Sequence, residues 1–186
     1  MIAHTSVTTA LGRHVNLQNI PPERLRFATA RGSKIHDLIK TDLMDLWVPP
    51  DLITDEIKGY WESYQIFKNE MIDRTIFVEK EIYCDCYQYI GHLDWAGILI
   101  RETSVTVLDW KSPVTEGNTW RAQVAAYWHL VDKHSDLPPG CKVKRCGALM
   151  LSPKGKAPKM KEYTEFKVRF FNDFLKALDA HRTFCP

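Results

Sequence analysis

The chain has 186 residues, of which 45% are apolar and 26% charged. That is the size and composition of one globular domain able to bury a core without staples, and it excludes a disordered or fibrous protein. With 25 basic against 23 acidic residues the net charge is +2, which excludes a polycation that binds nucleic acid through bulk charge but leaves room for a local basic patch.

The five cysteines, Cys84, Cys86, Cys141, Cys146 and Cys185, are odd in number and irregular in spacing, so reduced thiols and a cytoplasmic setting are expected. The longest apolar run is only a few residues, too short to span a membrane, and no signal-peptide h-region opens the chain. Residues 1–22 lack acids, as transit peptides do, but they carry few arginines. No repeat or linker-like stretch divides residues 1–186, which are read as one domain.

In chain order, a first helix is expected from Pro22 to Trp47, with Ala28, Gly32, Ile35, Ile39, Leu43 and Leu46 as its apolar stripe. A second follows from Thr54 to Arg74, burying Ile57, Tyr60, Trp61, Tyr64, Phe67 and Met71. The period then changes, and 75–83, 89–100 and 104–112 read as strands. A helix over 119–134, a buried strand over 142–151, a Lys/Pro/Gly-rich loop over 154–161 and a closing helix over 165–181 complete the chain. On the closing helix Phe166, Phe170, Phe174 and Leu178 share a face. The order implies an α/β domain with a short mixed central sheet covered by helices.

The chemistry-bearing stretch is Gly91-His92-Leu93-Asp94-Trp95-Ala96-Gly97, followed by Val107-Leu108-Asp109-Trp110-Lys111-Ser112. Charges inside apolar strands cost several kcal/mol unless paired or metal-bound. If residues 101–102 make a tight turn, opposed positions sum to 203 and Asp94 faces Asp109, with Cβ atoms about 4.5–5.5 Å apart. Carboxylates that close repel unless a cation lies between them. Strand alternation puts Lys111 on the face of Asp109. Two acids and a lysine on one face suit a hard cation, Mg²⁺ or Mn²⁺, with the ammonium free to orient water and offset developing charge. Glu79 and Glu81 share a face of the preceding strand; either could complete the metal shell, and the alternative for both is a solvated edge pair.

The arrangement Glu79…Asp94…Asp109-Trp110-Lys111 resembles the PD-(D/E)XK nuclease superfamily. Ala30-Arg31-Gly32-Ser33-Lys34-Ile35-His36 and Gln123-Val124-Ala125-Ala126-Tyr127 resemble the Arg-Gly-Thr-x-x-His and Gln-x-x-x-Tyr helix motifs of its RecB-like exonuclease branch. The start at Ser6-Val7-Thr8-Thr9-Ala10-Leu11 is similar to that of phage exonucleases and of mitochondrial genome maintenance exonucleases. The same holds, for the mitochondrial type, of Tyr89-Ile90-Gly91-His92-Leu93-Asp94 and Leu108-Asp109-Trp110-Lys111-Ser112. The resemblance runs from about residue 6 to residue 182 and implies that no presequence precedes it. It implies a restriction-endonuclease-like core and a metal-dependent DNA exonuclease of phage or bacterial DNA processing or recombination, hydrolysing phosphodiesters with metal-activated water.

Under that resemblance His36, Glu79, Asp94 and Asp109 bind one or two Mg²⁺ or Mn²⁺ ions, with the carbonyl of Trp110 as a further ligand, and Lys111 is catalytic. Gln123 and Tyr127 hold DNA or the catalytic strand, or else serve as core hydrogen-bonders. Some relatives carry a four-cysteine iron–sulfur cluster; the cysteine spacing here does not match it, so none is expected. Lys154, Lys156, Lys159 and Lys161 form the clearest basic patch for DNA, with Lys142, Lys144 and Arg145 as a second, against the alternative of solvated loops. Trp95 and Trp110 are expected in the core. Trp120 and Arg121, at a helix start, are the better DNA contacts. The implied partners are single-stranded DNA or duplex ends and a recombination or replication protein. No ATP-binding P-loop occurs, so a helicase would be a separate chain. The other readings are a structure-specific endonuclease on the same core and an inert nucleic-acid-binding protein.

Overall fold

The computed structural model describes residues 4–15, 20–112 and 115–184. A six-stranded mixed sheet carries helices on both faces. A two-residue strand, β1 (Thr5–Ser6), leads into the short helix α1 (Val7–Gly12), whose N-cap Ser6 accepts from the Thr9 amide. Then come α2 (Pro22–Leu43), α3 (Asp55–Met71), β2 (Ile72–Cys84), β3 (Tyr89–Leu99), β4 (Val105–Lys111), α4 (Trp120–Asp132), β5 (Val143–Met150), β6 (Lys159–Glu162) and α5 (Lys167–Phe184).

Helix α2 begins with Pro22 and Glu23 in its first turn, where a missing amide hydrogen costs nothing and an acid suits the helix dipole. It ends four residues before the expected Trp47, because Asp45 turns left-handed at φ 56°. Leu46 therefore leaves the apolar stripe and lies exposed, and Met71, at the far end of α3, is exposed as well. Helix α3 passes into β2 at Ile72 without a loop, so that strand starts three residues early. The segment expected as a lysine-rich loop over 154–161 instead ends in β6, a short edge strand antiparallel to β5. Lysines at such an edge discourage pairing with another chain. On α5, Phe166 lies just before the helix and is half exposed, whereas Phe174 and Leu178 are buried.

β3 is the spine of the sheet. It pairs in parallel with β1 and antiparallel with both β2 and β4, while β4 and β5 run parallel, joined through α4. Two hydrophobic clusters flank this sheet. One gathers α1, α4 and α5 around Tyr89, Leu93, Val107 and Phe174; the other gathers α2 and α3 around Trp95, Trp110, Tyr64 and Phe67. Trp95 and Trp110 are fully buried, as their alternation away from the acids requires. A fully buried side chain of this kind contributes roughly 1.5–3 kcal/mol. The second cluster gains edge-to-face contacts, Phe67 standing 6.0 Å from Trp110 and 6.4 Å from Trp95. Gly91 lets β3 meet α4, since a Cβ there would lie 2.3 Å from Leu130 Cδ1.

No helix among the described residues is long and apolar enough to cross a membrane.

Candidate metal and acid–base site

The β3–β4 pairs Trp95↔Leu108, Ala96↔Val107, Gly97↔Thr106 and Ile98↔Val105 all sum to 203, the register that sets Asp94 against Asp109. The connection is wider than a tight two-residue turn: β3 ends at Leu99, β4 begins at Val105, and Arg101 turns left-handed at φ 66°. On the other edge of β3 the pairs Val78↔Trp95 and Lys80↔Leu93 sum to 173, so Glu79 stands opposite Asp94. Glu79, Asp94 and Asp109 thus form a row across three adjacent strands.

At this row the inward faces of the strands change phase. In β2, Phe77 belongs to the α4–α5 side and Val78 to the α2–α3 side, yet Ile82 and Cys84 belong to the α4–α5 side. In β3, Leu93 and Ala96 lie on one side and Trp95 on the other. A regular strand keeps even and odd positions apart. Glu79 supplies the break, with φ 45°, a left-handed value unusual for a residue with a side chain. Strain of that kind persists only where the surroundings fix it, and it gathers at functional sites.

His36 arrives from α2. Its Nδ1 lies 3.4 Å from Asp94 Oδ1 and 3.6 Å from Glu79 Oε1. Ligand atoms of His36, Glu79 and Asp94 all fall within 4.8 Å of one another. Gly32, one turn earlier, faces Ser112 Oγ, which a Cβ there would meet at an ordinary 3.8 Å. Asp94 Oδ2 accepts the Trp110 N–H at 2.6 Å, which ties the backbone of Trp110 to the cluster.

Asp109 is 2% exposed. Lys111 Nζ lies 2.5 Å from its Oδ2, an ion pair that leaves that oxygen without an aligned hydrogen-bond donor. Lys111 also donates to Gln123 Oε1 at 3.0 Å, and Gln123 Nε2 donates to the Tyr127 hydroxyl at 3.2 Å. The indole of Trp120 lies 5.4 Å from the Lys111 ammonium. Helix α4 therefore holds Lys111 with Gln123 and Trp120, three residues apart on one face.

These environments push like groups apart. Burial raises Asp109, the charge of Asp94 raises it further, and Lys111 and His36 oppose; the outcome is a carboxyl pushed up to about 6. Burial also works to raise Asp94, but the neighbouring His36, Lys111 and the Trp110 amide hold it below the usual carboxylate range. Burial would lower His36, yet Asp94, with Glu79 and Asp109, drives it well above its ordinary value. Burial and the charges of Asp109 and Asp94 keep the Tyr127 phenol protonated. Pairs of acids driven in opposite directions mark acid–base sites.

His36, Glu79 and Asp94 thus bring their ligand atoms together, while Asp109 falls outside that group of three and pairs with Lys111, with Gln123 and Tyr127 behind it. Trp120 is 8% and Tyr127 2% exposed, and both stand behind Lys111, Trp120 through its indole and Tyr127 through Gln123, as a residue that holds the catalytic strand would. Arg121 is exposed and lies over Phe170. Lys154 and Lys156 are exposed on the loop after β5, which docks on α3 where the Ser152 amide donates to Ser63 Oγ. In the second basic patch Arg145 is engaged by Glu102 and Glu162. Glu81 is the solvated alternative, accepting from the Tyr83 hydroxyl at 2.7 Å.

His92 is the residue the sequence reading left without a role. Its Nε2 donates to Glu79 Oε2 at 2.9 Å. A four-residue turn between Cys84 and Tyr89 fixes the 173 register, which sets His92 opposite Glu81 and brings Glu79 within reach only on the diagonal.

A hard divalent ion fits these donors. Glu79 Oε1 is a buried oxygen with no hydrogen-bond partner, whereas Asp109 Oδ2 is already matched by the Lys111 ammonium at 2.5 Å. Carboxylate oxygens with one imidazole suit Mg²⁺ or, better, Mn²⁺. No family model matches the chain, and no curated protein matches it.

Proposed function

We propose that this chain is a metal-dependent deoxyribonuclease of PD-(D/E)XK type that digests DNA from an end. The observation that carries the reading is the row Glu79–Asp94–Asp109 in register across three strands, with Lys111 ion-paired to its last member and His36 at its first two. His36, Glu79 and Asp94 would hold a divalent ion, and Asp109 lies beside them to share it or a second one. Bound there, such an ion supplies Lewis acidity, lowering the pKa of water and offsetting phosphate charge.

The protein's own part is positioning. Lys111, steered by Gln123 and by the face of Trp120, presents a cation beside Asp109 where a phosphate oxygen or an attacking water needs one. In the metal-free protein burial pushes Asp109 up to about 6, and a divalent ion shared by its carboxylate would hold it ionised. End-labelled linear DNA incubated with Mg²⁺ or Mn²⁺ should be degraded, EDTA should stop it, and Lys111→Ala and Asp109→Ala should each reduce it by roughly 10²–10⁴-fold. Undiminished digestion by both variants would overturn the assignment. A closed circle left intact beside digested linear DNA separates an exonuclease from an endonuclease.

A further inference from the structure

At the far end of the β2–β3 hairpin lies a second chemical pair. Cys84 closes β2, and Cys86 lies in the turn of residues 85–88 before β3 resumes at Tyr89. Their sulfurs are 3.2 Å apart and unbonded. Cys84 is 7% exposed and packed in the core, whereas Cys86 is exposed. Both line a cavity of about 390 Å³ between the hairpin and α4, together with Glu81, Tyr83, His129 and His134. The turn is held from behind, where Arg182 of α5 donates to the carbonyls of Tyr87 and Gln88.

We propose that Cys84 and Cys86 form a redox-active dithiol that reacts with small disulfides of the glutathione class and closes into an intramolecular disulfide. A disulfide needs sulfurs about 2.05 Å apart, so closure asks each to move only a fraction of an ångström. The open cavity admits the reagent to Cys86. Burial pushes the Cys84 thiol up to about 11, so Cys84 keeps its proton and Cys86 attacks first.

The step balances. The Cys86 thiolate attacks one sulfur of the small disulfide, a mixed disulfide forms, and one thiolate leaves. Cys84 then gives its proton to solvent and attacks the Cys86 sulfur, expelling the second thiolate. The protein dithiol is oxidised by two electrons, and the small disulfide is reduced to two thiols. Cys84 follows Glu79 by five residues, about 16 Å along an extended strand, so the pair is a site apart from the acidic cluster and owes nothing to its function.

The intact protein, incubated with oxidised glutathione, should lose two hydrogens in mass without keeping an adduct. Fragmentation should place the bridge at Cys84–Cys86, and dithiothreitol should reverse it. Cys84→Ala should instead trap glutathione on Cys86, at roughly tenfold or more the wild-type adduct level. Cys86→Ser, altered at an exposed position, should form neither product. A stable glutathione adduct on Cys86 of the wild-type chain, a bridge to another cysteine, or an unreacted pair while Cys141 is modified would each overturn the proposal.

Discussion

Strands β4 and β5 carry a charged cluster at each end. Thr106 pairs with Arg145 at one end and Lys111 with Met150 at the other. At the first, Arg145 is forked onto Glu162, at 3.2 Å and 3.0 Å, and also bonds Glu102. Those hydrogen bonds raise the arginine and depress Glu162, so each partner favours the charge of the other. At the second end the acids are deeper, the charges conflict, and the buried Glu79 Oε1 lacks a hydrogen-bond donor. The first cluster is what a fold does with charges for its own sake. The second costs stability, which under the proposed nuclease activity is the usual trade between a stable and a working constellation.

The largest expected effect is a crossed one. Asp109→Asn should abolish metal-dependent DNA cleavage yet stabilise the metal-free protein by about 1–2 kcal/mol, because it removes a buried charge whose pKa is pushed up to about 6. Arg145→Met should do the reverse, leaving activity per folded molecule intact and costing about 1 kcal/mol, a figure kept small by the partial exposure of its partners. Urea unfolding in EDTA beside a cleavage assay reads both. An inactive Arg145→Met variant, or an Asp109→Asn variant that unfolds more easily than wild type, would erase the contrast.

The two ends should also part under acid. The folded pKa of Asp109 is raised, so its cost is full above pH 6 and fades as pH falls toward the unfolded value of about 4. The advantage of Asp109→Asn should shrink over that window. Glu162 is depressed in the fold, so its stabilisation is complete above the unfolded glutamate value and is lost only as pH falls through the lower folded one. The deficit of Glu162→Gln should therefore persist from pH 6 to 4. Parallel stability curves for the two variants over that window would show that the clusters do not differ in kind.

Much of the acidic end is legible in the sequence because buried charge is expensive. Asp94, Asp109 and Lys111 stand out from the apolar strands around them, and a turn centred on residues 101–102 gives the 203 register that the strands adopt, although the connection is wider than two residues. What is not legible depends on backbone geometry and distance. The left-handed turn of Glu79 leaves no mark in its residue type, and His92 meets Glu79 only once the second register is known. The burial of Trp120 follows from its packing at the start of α4 beneath Lys111, not from its place beside Arg121. Strand β6 is too short and polar for periodicity to reveal, since it exists by pairing with β5.

A smaller effect is expected at His92, which fixes Glu79 Oε2 and leaves Oε1 facing His36. Partners that orient a ligand in this way typically contribute 10–100-fold in metal affinity. His92→Ala should raise the Mn²⁺ concentration needed for half-maximal binding by about tenfold, and His92→Gln, which restores a donor, should recover part of it. Calorimetric titration of Mn²⁺ makes the measurement without DNA. Unchanged affinity in His92→Ala would leave the exposed imidazole as a surface contact only.

The smallest effect distinguishes charge that attracts DNA from charge that acts on it. Lys154 and Lys156 are exposed, and the loop that carries them is anchored to α3 through Ser152 and Ser63. If the loop touches the phosphate backbone, each lysine displaces roughly one counterion, and each lost contact lowers the slope of log affinity against log salt by about 0.7–0.9. Lys154→Ala with Lys156→Ala should then flatten that slope by between one and two and weaken binding a few-fold at moderate salt, while turnover at saturating DNA stays as it was. Lys111→Ala should show the opposite pattern, a collapse in turnover with little change in slope, because its ammonium is already committed to Asp109 and Gln123. An unchanged slope in the double variant would assign these lysines to solvent and move the search for the DNA track to Arg121 and the rim of the acidic cluster.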